Sequence, residues 1–185
     1  KNHALALQLW KTGIHEARIL ATFIDDPKAV TTRQMDSWVK DFDSWDVCDQ
    51  VTCFLFDKTP FAYAKAVTWS RRPEELVKRA GFSLIAGLAW HDNTAPNAKF
   101  RPFFQCILAE APDGRNFVKK AISWALRHIG KRNPALGKKA VQTANIRKDI
   151  YTFEELKAFF TPKNAEKPEA HGGFVLAKWC GEVES

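Results

Sequence analysis

The chain has 185 residues, 45% of them hydrophobic and 26% charged, with a formal net charge of +7 and a mean hydropathy of −0.32. That is enough apolar material for one domain or a short array of repeats, and too much for a disordered chain. No apolar run approaches the ~20 residues a membrane-spanning helix needs.

Helical periodicity carries the chain up to about residue 160, and the spacing predicts helices over 3–12, 14–25, 32–42, 45–57, 59–70, 73–91, 97–110, 115–130, 134–147 and 152–160. Their boundaries follow from Gly13, Asp26-Pro27, Thr59-Pro60, Pro73 in a first turn, Pro112-Asp113-Gly114 and Asn133-Pro134. Thr152 with Glu155 forms a capping box. No alternating run with hairpin turns precedes the tail. Helices of this length on very short turns predict an all-α fold of stacked antiparallel pairs, an α-α superhelix, over 1–160. The stretch 161–185 opens on a polar segment rich in Gly and Pro, as a linker and tail would. The chain opens directly as an amphipathic helix without methionine, which leads us to expect that preceding residues are missing.

The cysteines are Cys48, Cys53, Cys106 and Cys180. Three fall inside apolar helical patterns and none forms a CxxC pair, so they read as small buried hydrophobes in a reducing, cytoplasmic setting. The histidines have no ligand spacing with one another or with the cysteines, and no metal is expected.

Charge is distributed unevenly. From Arg115 to Lys148 there are ten basic residues, among them Lys120, Arg127, Lys131 and Arg132, and no Asp or Glu. Helical surfaces in contact only with water usually mix both signs, so this span points to phosphate. Within it, Lys120, Trp124 and Arg127 share the side of their helix away from the Val118, Ala121, Ile122, Ala125, Ile129 stripe. An indole among cations suits a sugar or base beside a phosphate; the plainer reading is a ring covered by lysine stems.

Helix 45–57 carries Val47, Val51, Phe54 and Leu55 as its core stripe and Trp45, Asp49, Thr52 and Phe56 as a second stripe roughly opposite. Asp49 is thereby set on an aromatic face apart from the core; the plainer reading has it bonded to a local donor. On helix 73–91, Arg79 shares a face with Ser83, Ala86 and Trp90, small neighbours that leave room for something bulky.

Together, "SWDVCD", "LVKRAGF" and "NFVKKAISWALRHIGKRNP" resemble the AlkD family of DNA alkylation repair glycosylases over about residues 1–148. The resemblance implies a solenoid of HEAT-like repeats, curved around duplex DNA, that lacks the family's first helices here. It implies hydrolysis of the N-glycosidic bond of alkylated purines such as 3-methyladenine and 7-methylguanine, without a deep pocket for a flipped base. By position, Asp49 matches the catalytic carboxylate, and Trp45 and Trp124 the aromatics of the cleft on either side of it. Arg79 matches an arginine on the DNA backbone near the lesion, and Arg127 a nearby basic contact; Lys120, Lys131 and Arg132 join the DNA-binding set. The implied partner is double-stranded DNA bearing alkylated bases, bound by a monomer with no cofactor and no membrane. A non-catalytic HEAT-like module that binds DNA or protein would need the cations but not the acid. A pure protein scaffold would show no salt-dependent affinity for DNA.

Overall fold

The computed structural model describes residues 1–146, and every regular element among them is helical. Nine α-helices follow in order: α1 (His3–Lys11), α2 (His15–Ile24), α3 (Thr32–Trp38), α4 (Trp45–Phe54), α5 (Ala62–Ser70), α6 (Glu75–His91), α7 (Arg101–Glu110), α8 (Asn116–Lys131) and α9 (Pro134–Ile146). They stack as HEAT-like antiparallel pairs. The turn between α1 and α2 needs Gly13, whose φ of 70° is strained for any side chain. Asn2 and Thr31 cap α1 and α3 by accepting from the backbone N–H groups of Leu5 and Gln34. Pro73 stands just outside α6, whose N-cap is Glu74. The helix predicted at 152–160, its capping box, Cys180 and the tail all lie outside the described residues.

The even-numbered helices form one layer. His15 pairs with Asp46 at the starts of α2 and α4, and Phe23 meets Phe54 at their ends. Between α4 and α6 the contacts advance in step: Cys48 with Leu76, Asp49 with Arg79, Thr52 with Ser83. Between α6 and α8, Arg79 reaches the Phe117 carbonyl and Trp90 meets His128. Contacts that advance in the same chain direction on both partners, at nearly the same offset, mean that α2, α4, α6 and α8 run parallel, side by side. The odd-numbered helices make the second layer, stitched by the stacked indoles of Trp10 and Trp38 (3.9 Å), by Asp36 to Lys65, and by Tyr63 stacked on Phe103 at 5.8 Å.

Most of the core lies between the layers, with Phe56, Phe82, Phe100, Phe103 and Met35 fully enclosed. Gly81 permits the closest crossing. A Cβ there would lie 2.3 Å from the Ser70 backbone nitrogen, at the end of α5. The long α6 is buried on nearly every side, flanked by α4 and α8 and backed by α5.

Two expectations about the second stripe of α4 are corrected here. The α-helix ends at Phe54, and Leu55 (φ −127°, ψ −58°) turns the chain into a short 3₁₀ segment over Phe56–Lys58. The 100° rule lapses at that point, and Phe56 enters the core against Trp38 and Trp69. Asp49 is buried as well, because the stripe it occupies faces α6 and not open solvent.

Candidate functional site

Trp45 opens α4 and Asp49 follows one turn later, so both side chains lean to the same side of the helix. Small and hydroxyl side chains let α6 approach that side: Thr52 and Ser83 share a hydrogen bond of 2.7 Å, and Cys53 lies 3.5 Å from the Ser83 carbonyl. The approach brings Arg79 against Asp49. Nε donates to Oδ1 at 3.0 Å and Nη2 to Oδ2 at 2.6 Å, a two-pronged pair whose members are each 5% exposed. Nη1 donates to the Phe117 carbonyl at 2.8 Å, which ties the pair to the start of α8.

Two aromatic rings flank the guanidinium. Its Cζ lies 5.7 Å from the centre of the Trp45 ring and 5.9 Å from that of Phe117. Trp45 is half-buried and Phe117 exposed, so both rings reach the surface above the pair. Burial pushes the Asp49 carboxyl above the usual carboxylate range, and the Arg79 charge and hydrogen bonds act against that push. With both oxygens accepting from the guanidinium, the bound form is the carboxylate.

Trp124 stands on α8 seven residues after Phe117, about 10 Å along the axis and on nearly the same face. It is half-buried, and its ring meets His128 edge-on at 5.8 Å. The sequence sets the carboxylate between Trp45 and Trp124; in the structure its partner Arg79 has its guanidinium near the rings of Trp45 and Phe117, with Trp124 two turns beyond Phe117 on α8. Phe117 was overlooked because the stripe drawn for its helix began at Val118; its seven-residue spacing from Trp124 was the signal.

The cations divide into two groups. Lys120 and Lys131 are exposed and Arg127 is half-buried, all on the Phe117–Trp124 side of α8. Arg132 is committed to the fold, which corrects its placement among phosphate contacts. It donates to the carbonyls of Ala89 and Ala95, with its guanidinium 4.1 Å from the centre of the Phe100 ring. Arg115 likewise serves structure, bridging Asp113 and the Pro73 carbonyl, while Lys78 bonds Glu110 and Asp113. Arg79 is revised in the same sense: in this structure its first partner is Asp49. His128 is held neutral, its pKa brought down to about 3 by burial and by the charges of Lys131 and Arg127.

A layer of parallel helices with a buried acid–guanidinium pair, surface aromatics and a basic edge defines a HEAT-like repeat protein of the kind related to DNA glycosylases. The chain belongs to the family described as DNA alkylation repair enzyme, whose pattern it matches over residues 1–166. One solved relative is described as a new family of proteins related to the HEAT-like repeat DNA glycosylases, with affinity for branched DNA structures. It shares 26% identity and a TM-score of 0.70, over 80% of this chain and 63% of the relative. A 68-residue stretch, 37% of the chain, is 52% identical to part of a proline–tRNA ligase of Protochlamydia amoebophila (strain UWE25), of which it covers 13%. The chain thus spans a small part of that ligase and under two thirds of the solved relative.

Proposed function

We propose that this protein is a DNA N-glycosylase that releases cationic alkylated purines, such as 3-methyladenine and 7-methylguanine, from duplex DNA. The observation that carries this reading is a buried acid held in a two-pronged pair by Arg79, whose guanidinium lies 5.7 and 5.9 Å from the centres of two rings that reach the surface at the edge of a basic helix face. An alkylated purine bears a positive charge, which weakens its bond to deoxyribose. As that bond breaks, both its electrons go to the base, which leaves neutral and needs no general acid. The sugar becomes an oxocarbenium ion and takes oxygen from water, whose proton passes to solvent.

In this reading, the phosphates lie along Lys120, Arg127 and Lys131, and the sugar rests against Trp45. Asp49 supplies negative potential toward the sugar. Three bonds engage three of the five N–H groups of Arg79, and a lesion-side phosphate approaching the remaining two draws the guanidinium charge toward itself. The field of Asp49 is then less compensated at the sugar. Trp124 and Phe117 add ring faces that favour a cation.

A second reading has one specific observation behind it: both Asp49 oxygens are already taken, as in a purely structural staple of α4 to α6. On that reading the protein binds DNA without cleaving it, in line with the affinity described for the solved relative. The test is release of free 7-methylguanine from methylated duplex by the wild type and by Asp49→Asn, each also assayed for DNA binding. The glycosylase reading expects release to fall about 10²–10³-fold in the variant with binding retained. Wild-type release at the uncatalysed rate, with binding intact, decides for the binding module.

A further inference from the structure

One turn beyond the Asp49–Arg79 pair, α4 and α6 meet again through the hydroxyls of Thr52 and Ser83, both fully buried. Thr52 follows Asp49 by three residues and Ser83 follows Arg79 by four, so all four side chains share the seam between the helices. The hydroxyl of Ser83 is placed unlike the others in the core. Those of Thr22, Thr59, Ser70 and Thr143 each donate to a carbonyl of their own segment, and Thr52 donates to the Cys48 carbonyl at 2.8 Å. The partners of Ser83 lie on α4. Its Oγ is 2.7 Å from Thr52 Oγ1 and 3.6 Å from Cys53 Sγ, and it stands near enough to Asp49 to favour the ionised carboxyl as a donor.

Each hydroxyl has one proton to give. A carbonyl can only accept, so the proton of Thr52 goes to Cys48, and in the 2.7 Å bond Ser83 donates while Thr52 accepts. Cys53 is a poor rival for that proton, since thiol sulfur accepts weakly and burial keeps the thiol protonated. A second arrangement needs only two hydroxyl rotations: Thr52 donates to Ser83, and Ser83 donates to Asp49. The Cys48 carbonyl then keeps its bond within α4. While Arg79 engages both carboxylate oxygens, the first arrangement leaves the acid satisfied. Once the guanidinium leans toward a phosphate, the buried carboxylate is short of a donor, and the second arrangement supplies one.

We propose that Ser83 is a positioning residue for Asp49, its hydroxyl turning from Thr52 to the carboxylate when DNA draws Arg79 away. The inference rests on the glycosylase reading and gives that site a further donor. Ser83 is fully buried and touches neither sugar nor base. It acts through the acid, which it keeps aimed and charged while the sugar turns cationic. A buried carboxylate without that donor takes up a proton more readily and loses its field.

The experiment measures single-turnover release of 7-methylguanine from methylated duplex against pH, for the wild type, Ser83→Ala and Thr52→Val. Duplex affinity and circular dichroism serve as binding and fold controls. Both variants break the same 2.7 Å bond with little change of volume, so a purely structural role predicts like effects. Ser83→Ala should slow release about tenfold near neutral pH, with binding retained. It should also move the acid limb of the profile up by about one to two pH units, because the carboxylate has lost a donor. Thr52→Val leaves Ser83 with Asp49 as its strong acceptor and should keep most of the wild-type rate. A loss in Thr52→Val as large as that in Ser83→Ala, or an acid limb that stays in place in Ser83→Ala, overturns the proposal and leaves the glycosylase reading standing. Wild-type release at the uncatalysed rate overturns both.

Discussion

Replacing Asp49 by Asn keeps the shape of the side chain and removes its charge. Arg79 is then left 5% exposed, without its anion, between α4 and α8. Breaking a buried pair by neutralising one partner costs about 3–5 kcal/mol, because the other charge is stranded. For a chain of this size that lowers the melting temperature by about 6–20 °C. Thermal and urea unfolding of Asp49→Asn, Arg79→Met and the double variant Asp49→Leu/Arg79→Met supply the assay. The double variant should recover roughly 2 kcal/mol or more over Asp49→Asn, since no uncompensated charge remains. Recovery stays incomplete because the Phe117 carbonyl loses its donor. Single variants within about 1 kcal/mol of the wild type, or a double variant whose loss equals the sum of the two, refute the reasoning.

Gly81→Ala should be far worse than Gly87→Ala in chemical denaturation, to the point of failing to fold. The first Cβ would meet the Ser70 and Trp69 backbone at 2.3–2.8 Å, and the second Cys53 at 3.2 Å and the Asp57 Cβ at 3.5 Å. His128 is neutral in the folded state with a pKa near 3, against 6.5 in its ordinary setting, so the unfolded chain takes up the proton first. Its contribution is complete above pH 6.5 and declines as pH falls, by about 1.6 kcal/mol between pH 6.5 and 5. His128→Asn should flatten that part of the stability profile, and an unchanged slope would remove His128 from it. Lys120→Ala should reduce the slope of log affinity against log salt by about 0.9 on duplex DNA, and an unaltered slope would take Lys120 off the phosphate path.

The helices were legible because their apolar periodicity is regular and their stops are strong; the bounds of α6 and α8 agree with the sequence reading to within two residues. The stacking in antiparallel pairs followed from lengths and turns for the same reason, and the HEAT-like character from the family resemblance. What the sequence withheld was which surface lies opposite which. A wheel drawn for α4 separates Asp49 from the Val47–Val51 stripe correctly, yet it cannot say that α6 covers the second face. Arg132 shows the same limit, since a run of charge reveals sign but not partners, and this guanidinium closes the α6 terminus. Phe56 failed for a local reason, a helix that ends two residues before it.

The glycosylase reading proposed above gives the Asp49–Arg79 pair a task beyond holding the helices together. Thr52 to Ser83 and Cys48 to Leu76 already join α4 to α6, and apolar residues of similar volume in place of a buried ion pair often leave a fold as stable or more so. An ionised carboxylate at such depth, however, requires a cation beside it. If the task is to set negative potential under a sugar that turns positive, a guanidinium able to shift toward a phosphate is the partner that keeps the acid charged at rest and yields it on binding. A lysine in its place would offer a point charge without the two-pronged hold. Arg79→Lys should accordingly lose base release with a smaller loss of stability than Arg79→Met, and equal losses of both in the two variants would leave the pair a staple and nothing more.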